Sequence, residues 1–202
     1  MPRAGLTPGR IVEAAAALAD AEGLGHLTVS ALARGFGVKD ASLYSHIRGL
    51  DDLRTRLAVR CAAEFADRLG SALAGRSGEE ALTAFADAYR AYALDHPGRY
   101  TATQLRLPPE VVAASPGHLR MVEFTAAVLR GYALPEPDLT DAVRLLRSTF
   151  HGFADLEASD AFGHPRAVPE SWSRITGALH TLLANWPRTP AAGPGTDRMT
   201  AP

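Results

Sequence analysis

The sequence predicts an all-α fold: an N-terminal unit of three short helices, joined by a long helix to a larger helical domain. Three observations favour this class. Apolar residues recur at spacings of three and four along most of the chain, alternating strand-like patterns are absent, and Gly or Pro separates one helical run from the next. The 202 residues, 47% of them hydrophobic, are enough to bury a sizeable core.

Three short helices are predicted in the N-terminal part. The first covers residues 7–22 and opens with a Thr-Pro pair suited to a cap and first turn. The second follows Thr28, whose hydroxyl suits an N-cap, and Gly37 ends it in a turn that favours positive φ. The third contains Leu43 and Ile47, four residues apart on one side.

A long helix is predicted over residues 50–73. Gly49 and a capping signal at Asp51 mark its start. Its apolar side chains keep an unbroken spacing of four, in the order Leu53, Leu57, Cys61, Phe65, Leu69 and Leu73. A helix of this length is able to join two domains.

The larger domain is predicted to hold several more helices. They cover residues 82–95, a short piece at 100–105, and residues 119–131, 138–159 and 172–186, whereas 108–117 is either a loop or a short helix. The last stretch is rich in Pro, Gly and small residues and is predicted to be disordered. The chain thus divides into residues 1–49, 50–186 and 187–202.

Composition narrows the function classes. No run of about 18 apolar residues offers a membrane helix, and the first ten residues lack the apolar stretch of a signal peptide, so a cytoplasmic protein is expected. Cys61 is the single cysteine and belongs to the row of apolar residues spaced four apart along the long helix. This position indicates a buried, inert thiol rather than a redox sensor. Residues 1–60 carry 8 Lys and Arg against 6 Asp and Glu, and residues 61–202 carry 13 against 16. The more basic N-terminal part favours a polyanionic partner.

The second and third helices match a helix-turn-helix. Leu32, Val38 and Leu43 have the spacing to fill its small core, and Ala33 must be small because the next helix crosses there. The side chains left outside are polar: Lys39, Asp40, Ser42, Tyr44, Ser45, His46 and Arg48. Such a set suits phosphates and base edges.

This segment reads SLYSHIRGLDDL over residues 42–53 and resembles the tetracycline-repressor (TetR/AcrR) family of bacterial transcription regulators, whose recognition helix commonly contains an LY.H element. The resemblance implies phosphate contacts from Thr28, Tyr44 and His46. It implies that four side chains face the major groove: Lys39, Ala41, Ser42 and Ser45. Many relatives have a lysine at the position of Leu50, for which Arg48 is the nearest substitute here.

The larger domain also resembles part of that family. FHGFADLE, residues 150–157, is similar to a subgroup signature of Phe or Val, His-Gly, an aromatic residue and Leu-Glu. In the family the last two long helices form a four-helix bundle with a second subunit, which implies a homodimer. The predicted interface residues are Leu146, Phe153, Leu156, Ile175, Leu179, Leu182 and Leu183. Such a dimer spaces two recognition helices about 34 Å apart on a palindromic operator.

An aromatic set in the larger domain lines a ligand cavity or fills the core, and periodicity does not separate the two. The predicted pocket residues are Tyr89, Tyr92, Tyr100, Gln104, Phe124, Phe150 and His151. His151 stands within an apolar helix face, where its polar ring needs a hydrogen-bond partner. That partner is either a ligand or a neighbour across the dimer. The histidines lack metal-ligand spacing, so neither a metal nor a cofactor is expected.

The predicted function is a DNA-binding transcription regulator, a repressor released from its operator by a small hydrophobic effector. The alternative is an all-α small-molecule carrier or enzyme without DNA affinity, built on His151 and the aromatic set. The sequence offers no nucleophile–base pair, phosphate-binding glycine loop or metal spacing, so an enzyme is not expected. A helical interaction protein is a third reading, and it leaves the polar side chains around Tyr44 unexplained. Salt-sensitive binding to a DNA duplex discriminates against both rivals.

Overall fold

A computed structural model describes residues 5–187, and in that range the chain is helical and contains no strand. The helices are α1 (Pro8–Glu22), α2 (Val29–Phe36), α3 (Asp40–Leu43), α4 (Leu50–Leu73), α5 (Gly78–Asp95), α6 (Pro97–Thr103), α7 (Pro109–Ala113), α8 (Pro116–Arg130), α9 (Asp138–Ala158) and α10 (Val168–Ala184), with a 3₁₀ turn at Leu24–His26. The predicted all-α class is confirmed. The tail predicted to be disordered lies, from residue 188 onward, outside the described residues. Within residues 5–187 no helix has the length and apolar character to cross a membrane.

Local signals set the ends of the first two helices. The Thr7 hydroxyl accepts from the backbone N–H of Arg10 at 3.2 Å, and the Thr28 hydroxyl accepts from that of Ala31 at 3.1 Å. Both threonines therefore cap a helix. Gly37 follows α2 with φ 65° and ψ 31°, in the left-handed region that glycine adopts without strain. The turn between α2 and α3 forms as the sequence predicts.

The structure differs from the prediction at α3 and at the start of α4. α3 is regular only over four residues, because the chain tightens after it: the N–H of His46 bonds the carbonyl of Leu43, three residues back, at 2.9 Å. The start of α4 has no side-chain cap at Gly49. The acid that acts there is Asp52 rather than Asp51, since its carboxylate accepts from the backbone N–H of Arg48 at 2.9 Å.

Two other segments are clarified. The stretch 108–117, left open between loop and helix, contains the short helix α7. α6 begins at Pro97 rather than at residue 100, because proline is well suited to the first turn of a helix and lacks only an N–H that would be unpaired there.

Two apolar cores lie along α4. Its first half contributes Leu53, Leu57 and Cys61 to a core shared with α1, α2 and α3, which we call the N-terminal unit. Its second half contributes Phe65 and Leu69 to a core shared with α5, α8, α9 and α10. Because one continuous helix belongs to both cores, a displacement at one end of α4 affects the other.

α6 and α8 approach their neighbours at glycines. A Cβ atom on Gly98 would lie 2.0 Å from the carbonyl carbon of Ala19 in α1, and one on Gly117 would lie 2.5 Å from the nitrogen of Ala63 in α4. No side chain fits in either place, so glycine is required. α6 therefore rests directly on the N-terminal unit, and α8 rests directly on α4.

An ionic network holds α6 against α1 and α4. The Nε atom of Arg99 lies 2.9 Å from Oδ2 of Asp20, and the backbone N–H of Arg99 donates to Oδ1 of that carboxylate at 2.8 Å. The same guanidinium lies 3.2 Å from Glu64 of α4. Arg60, also on α4, pairs with Glu64 and with Glu13 of α1. These charges are partly buried and share partners, so they form one connected network rather than isolated pairs.

Candidate DNA-binding surface and ligand cavity

The polar side chains predicted to contact DNA lie on and around α3. Six of the eight are exposed, namely Thr28, Lys39, Ala41, Tyr44, Ser45 and Arg48, and Ser42 and His46 are half-buried. Tyr44 is 56% exposed, although its neighbour Leu43 is fully buried. A large aromatic side chain held in solvent beside a packed core residue is available to a partner.

Hydrogen bonds hold this surface in place. The Ser30 hydroxyl bonds the Asp40 carboxylate and ties α2 to the start of α3. Asp52 accepts from the backbone N–H of Arg48 and, at 3.0 Å, from Nε of Arg56. Burial raises the pKa of Asp52, but these two hydrogen bonds and the positive charges of Arg56 and Arg48 together outweigh it and hold the pKa below its ordinary value. The sequence analysis missed Asp52, although its position four residues after Arg48 and four before Arg56 is a readable signal.

A cavity of about 550 Å³ lies in the larger domain. Side chains from α4, α5, α8 and α9 and from the end of α6 line it. Its walls are largely apolar and include Phe65, Leu69, Phe85, Met121, Leu146 and Phe150. The volume falls within the range of small-molecule sites. Periodicity left open whether the aromatic residues line a cavity or fill the core. The structure has both, a cavity beside a packed aromatic core.

Three of the seven predicted pocket residues, Tyr89, Gln104 and Phe150, line this cavity. Tyr92 does not: it stacks on Phe65 with ring centroids 4.6 Å apart, and its hydroxyl donates to the Cys61 carbonyl at 3.3 Å. Phe124 does not line it either. Its ring covers Gly70 of α4, where an added Cβ would lie 2.8 Å from Cζ.

Tyr100 and His151 form a hydrogen-bonded chain behind the cavity wall. The Tyr100 hydroxyl lies 2.8 Å from the Tyr89 hydroxyl and 2.6 Å from Nδ1 of His151. His151 is exposed on α9 rather than buried in an apolar face. Its partner is therefore Tyr100 of the same chain. Burial raises the pKa of both tyrosines, so both phenols are uncharged at neutral pH.

The cavity has polar lining residues that the sequence analysis did not single out. Thr103, His118, Thr140 and Arg147 are among them. Nδ1 of His118 lies 2.8 Å from the Ser115 hydroxyl, and burial lowers the pKa of His118, so its ring is uncharged at neutral pH. Polar residues at the border of an apolar stripe look like solvent-exposed positions in a sequence, which is why periodicity gave no signal for them.

The residues predicted for a dimer interface separate into two groups. Leu146, Phe153, Leu179 and Leu183 are buried within the single chain and offer little surface to a second subunit. The reason is the rotation of α9 and α10, which turns these side chains toward α5 and the cavity. The other three remain accessible: Leu156 is 45% exposed, Leu182 is 41% exposed and Ile175 is half-buried.

Comparison with known proteins identifies the family. Residues 82–179 match the model of the tetracyclin repressor-like C-terminal domain. The HTH-type transcriptional regulator YobS of Bacillus subtilis is 36% identical over 185 residues, which cover 91% of this chain and 96% of YobS. The chain belongs to the TetR family of helix-turn-helix transcriptional regulators. The resemblance seen in residues 42–53 is thereby confirmed, and the subgroup signature in residues 150–157 stays a prediction.

Two further comparisons agree with this assignment of the regulator. The HTH-type transcriptional regulator Rv0681 of Mycobacterium tuberculosis is 40% identical over 152 residues, 73% of this chain and 68% of that protein. ActR of Streptomyces coelicolor, in its crystal structure with (S)-DNPA, has the same fold, with a TM-score of 0.64 at 20% identity over 90% of this chain and 98% of ActR. YobS and Rv0681 are transcriptional regulators rather than enzymes by name, and ActR shows the shared fold.

Proposed function

We propose that the regulator is a repressor that binds a two-fold symmetric operator as a homodimer in the bacterial cytoplasm and leaves it when a small, mainly apolar molecule fills the cavity. The observation that carries this proposal is that the cavity and the N-terminal unit share helices. α4 supplies Phe65 and Leu69 to the cavity wall and Leu53 and Leu57 to the core of the N-terminal unit.

α6 supports the same route. Thr103 and Gln104, at its C-terminal end, line the cavity, and Gly98, near its N-terminal end, rests against the backbone of α1. Seven residues of helix span only about 10 Å, so α6 is a short, stiff connection between the two. A ligand that binds more tightly when α6 is in one position than in another favours that position, and the N-terminal unit moves with α6. The size of this population shift is set by the difference between the two affinities. A coupling of about 1–3 kcal/mol changes operator affinity about 5- to 150-fold.

The surface around α3 would make the DNA contacts. In this proposal Thr28, Tyr44, His46 and Arg48 hold phosphates, and a second group faces base edges in the major groove: Lys39, Ala41, Ser42 and Ser45. Phosphate contacts fix the position on the duplex, and base contacts supply the sequence preference.

The second subunit would pack on α9 and α10. The exposed Leu156 and Leu182 and the half-buried Ile175 support this choice, because exposed leucines on two long helices favour an apolar contact. The crystal structure of ActR with (S)-DNPA supports the ligand part of the proposal, since that protein has the same fold and holds a small molecule.

The first test is selection of random duplex DNA on the purified regulator, followed by binding of the enriched duplex over a salt series. A palindrome bound with a steep negative salt slope is expected. Tyr44→Ala should weaken that binding about tenfold without changing the melting temperature, because Tyr44 is 56% exposed. Leu119→Ala is the matched control, since Leu119 is 45% exposed but lies on α8, in the larger domain.

Two results would count against the proposal. Equal operator affinity of the Tyr44→Ala variant and the wild type would remove the role given to α3. Failure to enrich any duplex would favour the carrier without DNA affinity, for which the cavity is the supporting feature.

A further inference from the structure

The charged residues at the cavity indicate what kind of molecule it holds, an inference that rests on the ligand-binding part of the proposed function. Four lining residues besides the tyrosine carry ionisable groups: His118, Glu136, Arg144 and Arg147. Three of them are already engaged within the chain. His118 is bonded to Ser115 and uncharged at neutral pH, as described above, so the charged candidates are the other three.

Glu136 and Arg144 have partners at the start of α9. The Glu136 carboxylate accepts from the Thr140 hydroxyl at 2.8 Å and from the Thr140 backbone N–H at 3.3 Å. The Arg144 guanidinium lies 3.4 Å from the Asp141 carboxylate, which offsets its charge. Neither residue needs a ligand to satisfy its charge.

Arg147 differs from both, because it forms no hydrogen bond or ion pair with any other of residues 5–187. It lies one turn beyond Arg144 on α9 and lines the cavity with Tyr89. Burial raises the pKa of Tyr89, and the hydrogen bond from Tyr100 and the positive charge of Arg147 oppose that rise. Because Arg147 and Tyr89 line the same cavity, one bound molecule can contact both side chains.

The hydrogen-bonded chain behind Tyr89 can direct a proton donor into the cavity. When Nδ1 of His151 carries a proton, His151 donates to Tyr100, Tyr100 donates to Tyr89, and the Tyr89 hydroxyl is free to donate to a bound group. An exposed cation without an ion-pair partner among residues 5–187 and a donor directed by two further hydrogen bonds thus both line this largely apolar cavity. This is the arrangement that binds an oxyanion.

We propose that the cavity binds an amphipathic anion, a mainly hydrocarbon molecule with one carboxylate that pairs with Arg147 and accepts a hydrogen bond from Tyr89. The guanidinium fork matches the two oxygens of a carboxylate, and an uncharged phenol adds a third hydrogen bond. The hydrocarbon part lies along Phe65, Phe85 and Phe150, which supply the apolar wall.

The position of Glu136 is compatible with this anion. Glu136 is bonded to Thr140, and Thr140 and Arg147 are seven residues apart on α9, which separates them by about 10 Å along the helix. The energy between two charges falls in inverse proportion to their distance, so repulsion over about 10 Å is less than half the attraction of a contact pair at about 4 Å. A carboxylate at Arg147 therefore meets its cation without strong repulsion from Glu136.

The test uses full-length protein and isothermal titration calorimetry with matched probes. One set has a ten-carbon chain, namely decanoate, decan-1-ol and decylamine, each below the concentration at which it forms micelles. The other has an aromatic body, namely 1-naphthylacetate and the uncharged 1-naphthylacetamide. At least one anion should bind about tenfold more tightly than its uncharged analogue, as expected for hydrogen bonds to a charged group.

Arg147→Gln should bring the affinity of that anion down to the level of the uncharged analogue and leave the analogue unchanged. Arg144→Gln is the matched control, one turn away on the same helix and also at the cavity, but with its charge offset by Asp141. Its effect on anion binding should stay below about threefold, as for an exposed ion pair. Equal losses in the two variants would overturn the proposal, as would equal binding of anions and uncharged analogues, tighter binding of decylamine, or no binding of either anion.

Binding of the selected duplex to the same variants separates this proposal from the proposed function. Arg147→Gln should keep the wild-type affinity for the duplex, since Arg147 lies in the larger domain. Absence of an anion preference in the wild-type protein, with intact DNA binding, overturns the ligand class alone. Anion preference in a protein that enriches no duplex supports the ligand class and overturns the repressor.

Discussion

Replacing Gly98 with alanine tests whether α6 acts on α1. The added Cβ would lie 2.0 Å from the carbonyl carbon and 2.1 Å from the carbonyl oxygen of Ala19, and 2.4 Å from the backbone nitrogen of Asp20. Non-bonded carbon atoms pack at about 3.5 Å, so α6 must retreat from α1 by about 1.5 Å. Every atom it meets belongs to the backbone of a helix, so no side-chain rotation relieves the overlap.

The size of the effect follows from that geometry. Overpacking a close contact costs about 1–3 kcal/mol, and we expect the upper end because two helices must separate. In a protein of this length each kcal/mol lowers the melting temperature by about 2–4 °C, which gives a loss of about 6–12 °C for Gly98→Ala. The ion pair and the backbone hydrogen bond between Arg99 and Asp20 adjoin this contact and should lengthen with it.

Differential scanning calorimetry measures the loss, with Gly9→Ala as the matched control. Gly9 lies in α1, and nothing lies within 4 Å of a Cβ atom placed on it. That variant should melt at or slightly above the wild-type temperature, because alanine restricts the unfolded chain more than glycine. A Gly98→Ala variant that melts like the wild type would refute the contact between α6 and α1, and with it the proposed route from cavity to DNA.

Three further predictions follow from burial and charge. Burial raises the pKa of Cys61 to about 12, so its thiol should not react with a disulfide reagent at pH 8 until guanidinium unfolds the protein; prompt reaction in native buffer would contradict this. Asp52→Asn should lower the melting temperature at pH 7 by weakening the hydrogen bond to Arg48. Since the folded pKa of Asp52 is lowered, that difference should fade as the pH falls below about 4, and a constant difference down to pH 3 would exclude the charge as its cause. Leu156→Glu combined with Leu182→Glu should convert the proposed dimer to a monomer in sedimentation velocity, and an unchanged dimer would place the interface elsewhere.

The N-terminal unit was predictable because its signals are local. A threonine hydroxyl reaches an N–H three residues on, and a glycine adopts positive φ without strain, so Thr28 and Gly37 set the ends of α2 without reference to distant residues. The spacing of Leu32 and Leu43 then gives the small core that fixes α3. The role of Asp52 was not predicted, because two acids stand side by side at the start of α4. Only the structure shows which of them accepts the hydrogen bond from the backbone N–H of Arg48.

The faces of the later helices were less predictable. α9 has one apolar stripe through Leu146 and Phe150 and a second beside it through Leu145 and Leu156, so hydrophobic residues cover much of its circumference. Neighbouring residues on a helix point about 100° apart, and a pattern this broad fits several rotations. Packing against α5 and Trp172 turns the first stripe inward, which moved Leu146 and Phe153 from a predicted interface into the core.

The spacing of apolar residues could not predict the cavity, because an empty volume leaves no residue pattern in the sequence. A dry void of about 550 Å³ would cost about 13 kcal/mol at about 24 cal/mol per Å³, which is as much as the whole stability of a typical domain. The polar groups of Tyr89, Gln104 and Arg147 on its lining can hydrogen-bond water. Water in the cavity therefore reduces the cost of leaving that volume unfilled by protein. A ligand that displaces the water gains the apolar contacts of Phe65 and Phe150 and touches both α4 and α6 as it does so. In the proposed function, the same incomplete packing that hides the site from the sequence lets a ligand move the N-terminal unit.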